Sequence, residues 1–151
     1  MNPFFKTFLA IHVIIGLIGV IACAGVWINM LKRNPSLKFL KWSSAVGFIS
    51  FIVSWFIGGY YYAIYYGKTV KPLIMKGPYP WAHSFFMEAK EHIFLFLPFL
   101  AVALFIALLM LGERIEAEAP LKKALTWLAG VIVVLGISMA LSGIIISGAV
   151  R

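Results

Sequence analysis

The sequence predicts an all-α integral membrane protein, built as an antiparallel up-down-up-down bundle of four transmembrane helices. Three observations carry that expectation. Of 151 residues, 63% are hydrophobic and only 12% charged, whereas a soluble domain carries nearer a quarter. The apolar residues gather into four uncharged stretches, Thr7 to Leu31, Trp42 to Tyr66, Ile93 to Gly112 and Ala124 to Val150. Each is long enough to cross about 30 Å of hydrocarbon as a helix, and lipid forces every backbone amide to be satisfied within its own segment. The connections are short, which makes sequential helices antiparallel neighbours. The reading is one membrane domain over 1–151, with helices at about 4–31, 40–66, 83–113 and 121–150 and a loop at 67–82.

The first helix opens after Lys6 and contains Val20-Ile21-Ala22-Cys23, which has the look of a signal peptide ending in a lipoprotein cleavage box. The apolar run continues to Leu31, so a retained helix is expected. Cys23 stands alone, which excludes an internal disulfide and any CxxC site. Small residues let helices approach closely in lipid and so mark inner faces. On the first helix that stripe is His12, Gly16, Gly19 and Cys23. On the second it is Ser43, Gly47, Ser50, Ser54, Gly58, Tyr61 and Tyr65. On the fourth it is Ala129, Val133, Gly136, Ala140, Gly143 and Ser147.

The loop at 67–82 holds three Lys, three Pro and Trp81, and is flanked by Tyr60, Tyr61, Tyr62, Tyr65 and Tyr66. An aromatic belt with lysines reaching to headgroups accounts for it; a lid or a docking surface is the functional alternative. Pro98 on the third helix removes the hydrogen bond to the carbonyl of Phe94 and should bend the helix there.

The net charge is +8. The basic residues lie in loops and at helix ends, as in a membrane protein meeting anionic headgroups. No exposed basic module exists, so no nucleic acid is expected as a partner. Lys32, Arg33, Lys38 and Lys41 crowd the first loop. Their density places that loop in the cytoplasm and both termini outside a bacterial or archaeal plasma membrane.

The chemistry concentrates in His83 to Phe94, HSFFMEAKEHIF. Two of five acidic residues and two of three histidines fall there. On a helix, Glu88, Glu91 and His92 lie within an arc of roughly 100°, and ionisable groups at membrane depth usually have a reason. Counting turns from the helix ends aligns His12, Gly58 and Gly59, Glu88, Glu91 and His92, and Ser142 and Gly143 in one layer. His83 is nine residues from His92, on the opposite side of a continuous helix, and is left out of the ligand set.

Two cofactor readings follow. His12 and His92 could supply both axial nitrogens to a haem b, with Gly58 and Gly59 leaving room for the porphyrin edge. Alternatively Glu88 and His92, at i and i+4, with Glu91 and His12, form an N/O set suited to a single Fe, Cu or Zn ion. Both lead to a redox or electron-transfer role. The alternative is a non-catalytic accessory subunit of a larger membrane complex, or a homo-oligomer, with no cofactor. No nucleophile–base pair, phosphate loop or cysteine cluster supports a hydrolase or nucleotide enzyme. Neither broken helices nor internal repeats suggest a transporter.

Overall fold

The computed structural model describes residues 3–150, leaving aside the side chain of residue 94. Arg151 lies outside the described residues. Within them the chain is 89% helix with no strand. Four helical runs are long and apolar enough to cross a membrane: Pro3–Met30, Leu37–Lys76, Ala82–Arg114 and Ala119–Gly148.

Helix α1 spans Pro3–Met30. Its end is tied to the next helix by Asn29, whose Oδ1 accepts from the Ser36 backbone N–H at 2.8 Å. Ser36 then caps α2, Leu37–Tyr61, accepting from the Phe39 N–H at 3.4 Å. Beyond Tyr61 the chain stays helical, and it remains so past Tyr66, where the loop is expected to begin. It widens into a π-helix over Tyr62–Val70 and tightens again as α3, Lys71–Lys76. Pro72 stands in the first turn of α3, where its missing N–H costs nothing. The path breaks only around Gly77, Pro78, Tyr79 and Pro80, residues that end helices and set turns.

A second π-helix, Ala82–Met87, leads into α4, Glu88–Leu111. Pro98 lies within α4, and the helix continues through it. A short 3-10 turn, Gly112–Arg114, precedes α5, Ala119–Gly148. There Arg114 pairs with Glu118 at 2.5 Å on the exposed surface.

Helix α1 packs on α2 and α5, and α4 packs on the same two, so α1 and α4 occupy opposite corners of a four-sided bundle. Its central core joins Cys23, Val26, Phe51, Leu97, Ala101, Leu104, Leu108, Ile132 and Val133, among others. The expected small-residue stripes do line the contacts. A Cβ on Gly47 would lie 2.7 Å from Cys23 Sγ, and one on Gly136 would lie 2.6 Å from Val20. Such approach distances admit only glycine. A second core cluster caps the end with the π-helices: Tyr61, Tyr66, Val70, Ile74, Ala82 and Ile146, with Phe5 packed against it.

Candidate functional site

Two π-helices meet at one hydrogen bond. Tyr66, from the first, and His83, from the second, pair hydroxyl to Nδ1 at 3.0 Å. Both are sealed off, at 2% exposure each. A π-turn adds a residue to the helical repeat and so re-aims the side chains on it. Such turns are rare and concentrate at functional sites. Here they aim a phenol and an imidazole at each other from separate helical runs. The other ring nitrogen of His83, Nε2, is buried without a hydrogen-bond partner. Lys71, Glu91 and Glu88 all lie near enough to act on its charge.

Tyr62 stands one turn before Tyr66, and its hydroxyl faces the Glu91 carboxylate. Oε1 of Glu91 is also buried without a partner. Lys90 follows, seven residues or about 10 Å along the helix from His83. It shares a small pocket of about 60 Å³ with His12, Ser54 and Gly16, lined also by Leu17, Val20, Phe51, Leu97 and Met139. The Lys90 ammonium rests beside Gly143, where a Cβ would come within 3.4 Å of Nζ.

His12 is held in one pose. Its Nδ1 donates to the Ser54 carbonyl at 2.9 Å, and the Ser54 hydroxyl donates back to the His12 carbonyl at 3.0 Å. The imidazole lies on Gly58, where a Cβ would come within 2.6 Å of Cε1. Beyond this pocket the bundle interior is the apolar central core. The polar groups thus form a one-sided stack: Tyr66–His83 nearest the end, then Tyr62–Glu91, then Lys90–His12–Ser54.

Of the residues marked in the sequence, His12 and Gly58 do meet, and Glu91 turns inward. Gly59 is exposed, with nothing near its missing side chain. His92 and Glu88 are exposed, and His92 donates from Nδ1 to the Glu88 carbonyl at 2.7 Å. The structure therefore does not bring His12 and His92 to one iron. Nor do His12, Glu88, Glu91 and His92 assemble: among the described residues no three His, Cys, Asp or Glu side chains are placed to hold a metal ion.

The cause is helix phase. Leu97, Ala101, Leu104 and Leu108 form the buried stripe of α4, and stepping back at ~100° per residue puts Lys90 on that stripe and His92 nearly opposite. The sequence argument sets His83 and His92 on opposite sides but gives no sign of which one faces inward. The residues it passed over are Tyr66, read as belt, Ser54, read as packing, and Lys90, given no place in the ligand set. The Ser54–His12 match on two small-residue stripes was the available signal. The π-helices had none.

The chain matches no known protein family, no curated protein and no solved structure.

Proposed function

We propose that the protein is a small integral membrane protein that carries protons from its tyrosine-rich end into the bundle, in support of a membrane redox step. The Tyr66–His83 hydrogen bond, closed off where two π-helices meet, is the observation that carries this reading. Phenol, imidazole, carboxylate and amine can each give up and take a proton. Ionisable groups inside membrane helices are expensive, and proton relays are a recurrent reason for keeping them. The partnerless His83 Nε2 and Glu91 Oε1 leave hydrogen-bonding capacity inside the stack, which a mobile water or proton can use and a purely structural staple does not need.

The polar groups gather toward one end of the bundle and give way to the apolar central core, which favours delivery to the interior over passage through the membrane. Haem b or a single Fe, Cu or Zn ion would need a second strong ligand beside His12, and Lys90 stands in that place. The electron carrier is therefore assigned to a partner subunit. In this reading the helices run antiparallel, with the tyrosine-rich end and both termini outside a plasma membrane, following the density of cations in the first loop.

The test is a pH jump on protein in lipid nanodiscs, with the Glu91 carboxyl followed by time-resolved infrared and identified by Glu91→Gln. The proposal expects protonation of Glu91 to slow by about tenfold or more in both Tyr66→Phe and His83→Gln, as loss of a positioned acid–base group does. An unchanged rate in both variants refutes it.

A further inference from the structure

At the end remote from the π-helices, α1 and α5 part to leave a groove of about 690 Å³. Its walls are apolar: Trp27, Met30, Leu31, Val131, Val134 and Leu135. Its mouth is not, because Lys122 and Lys123 line it there. The lining on α5 runs from Ala119 to Leu135, roughly 24 Å of helix, about the reach of an extended acyl chain.

The floor is set by Gly130. A Cβ there would lie 3.1 Å from Trp27 Nε1, so the indole settles onto α5 and the space above it stays open. The Trp27 N–H makes no hydrogen bond among the described residues. Lys122 donates to the carbonyls of Lys32 at 2.6 Å and Arg33 at 3.3 Å. That contact holds the backbone of the basic first loop against the mouth that Lys122 and Lys123 line. Lys123 is exposed and has neither an acidic nor a hydrogen-bonding partner among the described residues.

We infer that this groove is a binding site for one anionic phospholipid. Its phosphate would sit at Lys123 beneath the first loop, and an acyl chain would lie along α5 over Trp27. Charge complementarity selects this occupant. A partner helix would bring its own apolar face to the groove but would leave the lysine charge at the mouth unanswered, and a zwitterionic lipid would answer it only in part. Basic pockets between membrane helices hold anionic headgroups for this reason. The inference rests on the membrane assignment alone and is independent of the proton stack.

Native mass spectrometry of the full chain, delipidated in detergent and mixed with equal phosphatidylglycerol and phosphatidylcholine, tests it. One phosphatidylglycerol per chain should survive activation that strips phosphatidylcholine. Lys123→Gln, which touches no internal bond, should lower that retention about fivefold, the share of one cation near a phosphate. Val131→Trp, which fills the groove from its lipid side, should abolish the preference while the variant keeps its thermal transition. Equal retention of the two lipids overturns the inference. So does a Lys123→Gln variant that binds as well as the parent, or a groove occupied by a second copy, seen as a dimer that Val131→Trp dissociates.

Discussion

Tyr66 and His83 are 17 residues apart in sequence, and the phenol oxygen of one lies 3.0 Å from Nδ1 of the other inside the protein. Almost everything between them serves that meeting: a π-helix on each side, α3 continuing the first of them, and a Gly-Pro-Tyr-Pro corner. Removing one partner leaves the other buried and unsatisfied, which costs about 1–3 kcal/mol. Tyr66→Phe is therefore expected to lose about that much in denaturant unfolding from mixed micelles. His83→Gln, whose amide can still bond the phenol, should lose less.

His12 gives a second, separable expectation. A methyl on Gly58 would strike its ring at 2.6 Å from Cε1 and 2.8 Å from Nδ1, so Gly58→Ala must push the imidazole off Ser54. The overpacking should cost about 1–3 kcal/mol, against roughly 1 kcal/mol of helix propensity gained. Ser54→Ala keeps the carbonyl that accepts from His12 but removes the hydroxyl, which donates to the His12 carbonyl and lies 3.0 Å from the same Nδ1. The two changes share one ring, so the double variant should lose less than the sum of the singles; strict additivity would show that the ring does not couple them.

The histidines of α4 and its lead-in should behave oppositely. His92 is exposed and bonds only its own helix, so His92→Ala should change stability by less than about 0.5 kcal/mol and leave the infrared response of Glu91 intact. His83→Ala should damage both. A result in which His92 matters and His83 does not would restore a site on the outer face of α4.

Topology can be read by cysteine labelling. Cys23 is 1% exposed and packed on Gly47, so a water-soluble maleimide should leave the parent protein unlabelled in intact cells. Thr69→Cys should be labelled from outside, and Asn34→Cys only after permeabilisation. The reverse pattern would invert the assigned orientation.

The four spans were legible in the sequence because length and apolarity alone decide what crosses a bilayer. The inner faces of α1, α2 and α5 were legible too, because glycine and serine mark them: Gly19, Cys23, Gly47, Ser54 and Gly136 are all buried. Helix α4 carries no such marks. From Phe94 to Leu111 it is almost uniformly large and apolar, so its rotation could not be fixed and His92 was preferred over Lys90. The π-helices were illegible for a different reason. An extra residue per turn is imposed by tertiary packing, and no composition signals it, so residues 67–76 read as loop and Tyr66 as part of an aromatic belt.

The most direct measurement is proton exchange at the Tyr66–His83 pair, followed by NMR of histidine-labelled protein in lipid nanodiscs moved into deuterated water. A relay reached from the tyrosine-rich end predicts that the His83 ring proton exchanges far faster than the backbone amides packed around it. Protection of the ring proton as long as those amides would contradict the account, and would leave the pair a structural staple at the end of the bundle.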